Sequence, residues 1–275
     1  MGSEREVTQH YGDSGLITRI FAGLEAAGAD LNNLTPEDLS PVDEFHLGGR
    51  KATIHAVSKL PLNKDSHVLD IGCGIGGTAR FIASETGCRV TGIDLTPEYI
   101  STAQILNSRT GLADQVTCEI ANALNMPFDE ATFDVATTFH VAMNISERGK
   151  LYSEIARVLK PGGVFCLYDI MKKGDEPIDF PVPWAHSAAT SHLTTPDEML
   201  VHLEAAGFEV EEVEDRTNFA LEVIKQGLAA RTEGPPPLGV HLLMGAGAPE
   251  KVKNTRNNVQ AGRMAPVQMI ARRVG

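Results

Sequence analysis

Between residues 68 and 170, short apolar runs alternate with stretches of helical spacing. VLDIG leads into a helical stretch ending near Thr86, and RVTGIDL into one ending near Arg109. VTCEIA and FDVATTFHV follow, and a helix to about Leu159 precedes VFCLYDI. Parallel neighbours in a sheet need a crossover connection, and a helix packed on the sheet supplies it. The alternation therefore predicts an α/β fold with a mainly parallel sheet covered by helices on both faces. Pro97 opens the helix after Asp94, and Lys160-Pro161-Gly162-Gly163 marks a break before the fifth strand. A strand at 209–215 and the closing run VQMIARRV bring the expected strands to seven.

Outside this region the spacing predicts helices over 14–28 and from about Gly49 to Leu60, with Pro61 just beyond. After Ile170 come a Pro-rich stretch, EPIDFPVPWAHS, and a helix opened by Thr195-Pro196-Asp197-Glu198. Further helices are expected near 219–231 and 249–262, on either side of the Pro235-Pro236-Pro237 break. The expected division is a helical N-terminal cap over 1–60 and a nucleotide-binding core over 61–171. Residues 172–275 would combine a substrate-covering insertion with the strands that complete the sheet. The first 45 residues and the segment 172–194 are expected to cover the substrate.

The formal net charge of −12 argues against a nucleic-acid partner. Lys251, Lys253, Arg256, Arg263, Arg272 and Arg273 form the one basic concentration, read as a solvated helix face. The four cysteines, Cys73, Cys88, Cys118 and Cys166, form no C-x-x-C pair, and three lie in apolar runs. Reduced core thiols in a cytoplasmic protein are expected, with no metal site. MGSEREVTQHYG holds no apolar segment of signal length, and Glu6 stands where a myristoylation motif needs Ser or Thr. No apolar run reaches bilayer-spanning length, so no membrane insertion is expected.

VLDIGCGIGG fits G-x-G-x-x-G at Gly72, Gly74 and Gly77. Such a loop between strand and helix lets a ligand approach backbone N–H groups at the helix N-terminus. The second strand ends at Asp94, placed to take two ribose hydroxyls, so a nicotinamide dinucleotide and another adenosine ligand both remain open. Asp70, two positions before Gly72, separates them. A carboxylate there repels a pyrophosphate and attracts an ammonium group.

At these residues the chain resembles class I S-adenosylmethionine-dependent methyltransferases, in their small-molecule branch. VLDIGCGIGG matches the first motif and TGIDL the second acidic strand; ANALNMPFDEATFDVATT and LKPGG match the later signatures. The resemblance implies a Rossmann-like core, the cofactor S-adenosylmethionine and the product S-adenosylhomocysteine. It places Gly72, Cys73, Gly74 and Gly76 beside the cofactor's methionine part with Asp70, Asp94 on the ribose and Leu95 beside the adenine. Asn122 and Ala123 frame the adenine amine, and His140, Val141 and Met143 border the transferred methyl. From FHLGGRKAT (45–53) it places His46, Gly48 and Gly49 near the methionine end, with Arg50 on the cofactor carboxylate.

The implied reaction is methylation of a small molecule. Sarcosine- or dimethylglycine-like amines come first, with O- or C-methylation of a phenolic or other secondary metabolite as the alternative. A non-catalytic cofactor-binding protein is the distant alternative. Candidate bases are His140, His46, His186 and His192, with a hydroxyl from Tyr11 in the cap. Trp184 and Phe180 are expected either in a wall of the site or in the core. A homodimer is compatible with this reading.

Overall fold

The computed structural model describes residues 15–229, 236–245 and 247–275. Helices α1 (Leu16–Ala26), α2 (Pro36–Asp43) and α3 (Gly49–Val57) precede β1 (His67–Ile71). Then follow α4 (Gly77–Thr86), β2 (Arg89–Asp94), α5 (Pro97–Arg109), β3 (Val116–Ile120), β4 (Phe133–Phe139), α6 (Arg148–Val158) and β5 (Leu159–Lys172). The chain continues with α7 (Pro196–Ala205), β6 (Phe208–Asp215), α8 (Thr217–Ala229), α9 (His241–Met244), α10 (Ala248–Gln260) and β7 (Met264–Arg273).

The strands form one seven-stranded sheet in the order β3-β2-β1-β4-β5-β7-β6. β1 pairs parallel with β2 and β4, and the β2–β3 and β4–β5 pairs are parallel too. β7 runs antiparallel between β5 and β6. The chain order reverses between β1 and β4, so the loops at their carboxyl ends open the crevice where ligands bind in such sheets.

Side chains alternate across each strand, and the core splits accordingly. Leu69 and Ile71 of β1 pack with Leu151, Ile155 and Leu203 of α6 and α7 on one face. Val68 packs with Ala52 and Ala56 of α3, Ala79 and Ile82 of α4, and Ala103 of α5 on the other. A third cluster joins Leu16, Ile20 and Leu24 of α1 and Leu39 of α2 to Ile75 after β1, Leu106 of α5, and Leu243 of α9.

Three elements differ from the sequence-based expectation, one of them the short α9, which the spacing did not predict. Residues 160–163 do not precede the fifth strand. Leu159 already pairs with Phe133, the register shifts between Phe133 and Val135, and pairing resumes at Val164. The Lys-Pro-Gly-Gly stretch is thus an irregularity within β5, with Gly162 left-handed at φ 77°. Helix α2 was not expected at all. Thr35 caps it by a reciprocal box with Asp38, and Pro36 occupies its first turn.

The carboxyl end of α2 carries the main tie between these helices and the sheet. Arg80 of α4, fully buried, donates to Asp43 Oδ1 at 2.5 Å, to Asn107 Oδ1 at 2.9 Å and to the Ile75 carbonyl at 2.8 Å. A side chain at Gly77 would overlap the Asp43 backbone, so α2 and α4 touch through the missing Cβ. Removing one member of a buried pair strands the other charge out of water. Arg80→Met is therefore expected to cost about 3–5 kcal/mol in urea unfolding. The double variant R80M/D43N is expected to recover part of that loss.

Candidate active site

The crevice between β1 and β4 deepens into a cavity of about 630 Å³. Asp70, at the end of β1, lines it and is 2% exposed. Its Oδ1 accepts from the Thr137 hydroxyl of β4 at 2.8 Å, while Oδ2 is buried without a partner. Ile93 O holds the loop that follows, accepting from the N–H groups of Gly72 and Cys73 at 2.7 and 3.0 Å. Gly72 and Gly74 are left-handed, at φ 70° and 54°. A Cβ on Gly72 would run into Val141, whereas one on Gly74 would meet nothing within 4 Å. The first glycine lets the β1 and β4 loops touch; the second keeps the space in front of the loop open.

Asp94 at the end of β2 accepts from Gly74 N–H at 3.0 Å and from Thr96 N–H at 2.8 Å. Leu95, Asn122 and Ala123 line the same end of the cavity. Asn122 Oδ1 accepts from Leu124 N–H at 2.8 Å, a local turn bond that leaves the oxygen a second lone pair. Gly76 and Gly49, expected at the cofactor, are not among the lining residues. Gly76 is the left-handed N-cap of α4, and a Cβ there would press on Arg80 Nη1 at 2.9 Å. Gly49 opens α3 behind Gly48, which does line the cavity.

His46 and His140 both line the cavity, with ring centroids 5.8 Å apart. The His46 Nε2 lies 3.0 Å from Glu44 Oε2, and the Thr53 hydroxyl donates to that oxygen at 2.6 Å. With Nε2 protonated toward Glu44, His46 Nδ1 is left as a lone-pair acceptor, and it is buried without a partner. His140 is left-handed at φ 56°; its N–H donates to Tyr168 O at 2.8 Å, and its Nε2 is also unpartnered.

Arg50 does not reach the cavity to meet a cofactor carboxylate, as the sequence suggested. Glu44 takes it at 3.1 Å, the Pro36 carbonyl accepts from it at 3.0 Å, and Phe81 lies under its guanidinium. His186 and His192 do not line the cavity, and Tyr11 lies outside the described residues. Trp184 serves both expected uses, packed in the core at 4% exposure and facing the cavity, while Phe180 packs beside it.

The cover holds residues that the sequence reading missed. Val240, Leu243 and Met244 near α9, and Pro249, Val252, Lys253 and Arg256 of α10, line the cavity. The basic concentration is divided. Lys251 is 3% exposed with its Nζ on the Met244 carbonyl, while Lys253, exposed, and Arg256, half-buried, line the cavity, and the Arg272 side chain stays solvated. Spacing along α10 puts Lys253 and Arg256 on one side of the helix, the signal that could have found this cavity-lining pair. Glu44 had one signal, an acidic residue two positions ahead of a histidine in a glycine-bearing turn.

Burial pushes the Asp70 carboxyl up to about 7, and neighbouring Glu44 and Asp94 add to the rise against the Thr137 bond. Burial likewise raises Asp94 against its backbone donors. At Glu44, burial works upward, but the His46 bond, Arg50 and Thr53 outweigh it and hold the carboxyl below its usual range. Burial, with His46 nearby, drives His140 well below the ordinary histidine value, so its ring is neutral at pH 7. Among the described residues no cluster of metal-ligating side chains forms, and no helix is long and apolar enough to cross a membrane.

A glycine loop at the switch point, an acidic end to β2 and a carboxylate beneath the loop define an α/β domain with a cavity at its switch point. Residues 69–167 match the family described as Methyltransferase domain. A sterol 4-C-methyltransferase of Caenorhabditis elegans is 39% identical over 176 residues, 63% of this chain and 50% of that protein. An O-methyltransferase of Aspergillus sclerotiorum is 29% identical over 207 residues, 73% of this chain and 74% of that one. The chain thus spans about half the length of the nematode relative. The crystal structure of geranyl diphosphate C-methyltransferase from Streptomyces coelicolor A3(2) superposes with a TM-score of 0.73. It covers 100% of this chain and 99% of its own at 17% identity, a likeness of fold alone. Residues 69–167 thus form a methyltransferase domain. The geranyl diphosphate C-methyltransferase structure holds S-adenosyl-L-homocysteine.

Asp70 fits the cofactor's ammonium group: its unpartnered oxygen is buried, and a cation there lowers the pKa that burial raises. Binding must therefore expel a proton wherever free Asp70 is protonated. Affinity for S-adenosylhomocysteine is expected in full above pH about 7 and to fall roughly tenfold per unit below it. Calorimetry should also find Asp70→Asn weaker and without that slope. Asp94→Ala is expected to lose roughly 1.5–3 kcal/mol of affinity in the same titration, the range for bonds to a charged group.

Proposed function

We propose that the whole protein is an S-adenosylmethionine-dependent methyltransferase acting on an oxygen nucleophile of a small, largely apolar molecule. The observation that carries this reading is one cavity holding both Asp70, with its Oδ2 buried without a partner, and a carboxylate-backed histidine, His46. When bound, the cofactor supplies a sulfonium methyl that is displaced in line, leaving S-adenosylhomocysteine. Asp70 holds the ammonium, Asp94 accepts from the ribose hydroxyls, and Gly72 and Gly74 leave room for the methionine part.

His46 Nδ1 takes the proton that the acceptor hydroxyl loses as its oxygen bonds to the methyl. The resulting imidazolium is neutralised by Glu44, which burial alone would have protonated but which its partners keep ionised. His140, neutral at working pH, orients the acceptor by hydrogen bonding and takes up no proton. The rest of the cavity wall aligns the reactants and excludes water.

A neutral amine, the first acceptor expected from the sequence, arrives with its lone pair free and needs no base. A hydroxyl must lose its proton, so the Glu44–His46 pair favours oxygen. The relatives include a sterol C-methyltransferase, an O-methyltransferase and an N-methyltransferase, so the choice of oxygen rests on the Glu44–His46 pair and not on them. The 1–60 cap and the 172–275 region act together as the cover over the acceptor, through Phe45–Gly48 and through 240–256.

His46→Gln is expected to lower kcat about a hundredfold or more while S-adenosylhomocysteine affinity stays within about twofold. Labelled cofactor and a panel of phenols, alcohols and amines, read by mass spectrometry, identify the methylated atom. Methylation confined to amines, with His46→Gln fully active, overturns the oxygen reading. Tighter binding of NAD than of S-adenosylhomocysteine overturns the methyltransferase reading itself.

A further inference from the structure

Helix α10 turns a mixed face toward the cavity. Pro249, Val252, Lys253 and Arg256 line it at the i, i+3, i+4, i+7 spacing of one helical face. The remaining buried positions, among them Lys251, Asn258 and Val259, pack toward the body of the protein. Lys253, exposed, and Arg256, half-buried, thus set two cations on the cavity wall of a chain with formal net charge −12. Neither Lys253 nor Arg256 makes an ion pair or side-chain hydrogen bond with another described residue.

Their place in the fold puts them on the acceptor's side. Val259 packs in one cluster with Met143, which follows β4, and with Trp184. Asn254 donates to the Pro181 carbonyl at 3.0 Å, and Asn258 to that of Asp179 at 2.9 Å. These contacts anchor α10 to the segment after β5. Asp94 and Asn122, which face the adenosine, end β2 and follow β3 on the other side of β1. The cavity's carboxylates Asp70 and Asp94 belong to the cofactor end, and Asp43 is taken by Arg80. Glu147, exposed at the start of α6, pairs with neither cation.

We propose that the molecule methylated here is an amphipathic anion. Its apolar body lies against Trp184, Met143 and Val252, and its carboxylate or phosphate is held by Lys253 and Arg256. A guanidinium offers two parallel donors to either group, and the ammonium adds a point charge. The word "methylated" rests on the function proposed above; the charge of the ligand does not.

Trp184 is the one tryptophan of the chain and lines the cavity, so its fluorescence reports occupancy directly. The full-length protein, saturated with S-adenosylhomocysteine, is titrated with octanoate, octyl phosphate and neutral octanol. At least one of the two anions is expected to bind about tenfold or more tightly than octanol. Raising the salt from about 0.05 M to about 0.5 M should weaken the anions and leave octanol unchanged. The double variant K253M/R256M should bind all three alike and keep its S-adenosylhomocysteine affinity within about twofold. A tenfold gap between octanoate and octyl phosphate identifies the acidic group; parity between them supports a site that reads charge alone.

Equal binding of octanol by the wild type overturns the proposal, as does a preference that survives the double variant. Loss of S-adenosylhomocysteine affinity in a double variant with an unchanged thermal melt assigns the cations to the cofactor, which also overturns it. Should that variant melt early, the wild-type salt series decides. If the wild type fails to bind S-adenosylhomocysteine, the methyltransferase reading falls. The octyl series, repeated without it, still decides the charge of the ligand.

Discussion

The site rests on a buried ion pair. Arg80 and Asp43 have no exposed side-chain surface, and two such charges survive out of water only when further bonds saturate them. Arg80 meets most of that condition by donating also to Asn107 of α5 and to the carbonyl of Ile75 in the glycine loop, while its Nε and Asp43 Oδ2 stay without a partner. One guanidinium therefore fixes the end of α2, the loop and α5 relative to each other. The loop needs such a clamp because Gly72, Gly74 and Gly76 are all left-handed, a run with much backbone freedom to lose. The clamp also positions the turn after α2, which delivers His46 to the cavity with Glu44 buried behind it.

Charge is zoned within that cavity. Asp70, Asp94 and Glu44 lie close enough for the latter two to raise the proton affinity of Asp70. Their mutual repulsion is a standing cost that a cationic ligand relieves and an anionic one worsens. Selectivity for an ammonium-bearing cofactor over a pyrophosphate thus follows from the unliganded arrangement. The opposite sign appears on α10, where Lys253 and Arg256 line the cavity. A ligand set with its cationic part over β1 and an anionic neighbour under α10 satisfies both zones at once.

The parallel half of the fold was legible because alternation of strands and helices leaves few connections open. The glycine loop, Asp70, Asp94 and His140 were legible as lining residues because each marks a strand end or its adjoining turn, and His46 because it stands in a glycine-bearing turn between two helices. What escaped depended on tertiary partners. Thr35-Pro36-Glu37-Asp38 carries the same capping signal as Thr195-Pro196-Asp197-Glu198, yet the helix it opens is only eight residues long and has a proline inside. Arg80 looks like any helical surface residue until Asp43 is brought to it. Arg50 looked free to meet a carboxylate and does meet one, but it is the protein's own Glu44. Gly49 and Gly76, which the resemblance placed at the cofactor, serve helix starts, since a motif gives spacing and not which face the backbone presents. The place of Lys253 and Arg256 on the cavity wall escaped because the rest of that wall comes from segments distant in sequence.

Residues 43–50, DEFHLGGR, show why fold and chemistry are hard to separate here. Asp43 neutralises Arg80, Glu44 backs His46, Gly48 allows the close approach of Phe219, and Arg50 pairs with Glu44 from behind. An ionised Glu44, with a side chain 1% exposed, would be too costly to bury beside a neutral histidine alone. Arg50 and Thr53 offset that cost, and Arg50 is itself held by the Pro36 carbonyl and the Phe81 ring. The same contacts that dock this turn on the sheet therefore keep Glu44 charged. A change that loosens α2 or α3 would let Glu44 take up a proton, and His46 would lose the carboxylate that holds its Nδ1 ready as an acceptor. Stability and proton transfer are linked through one carboxyl group rather than through the cavity as a whole.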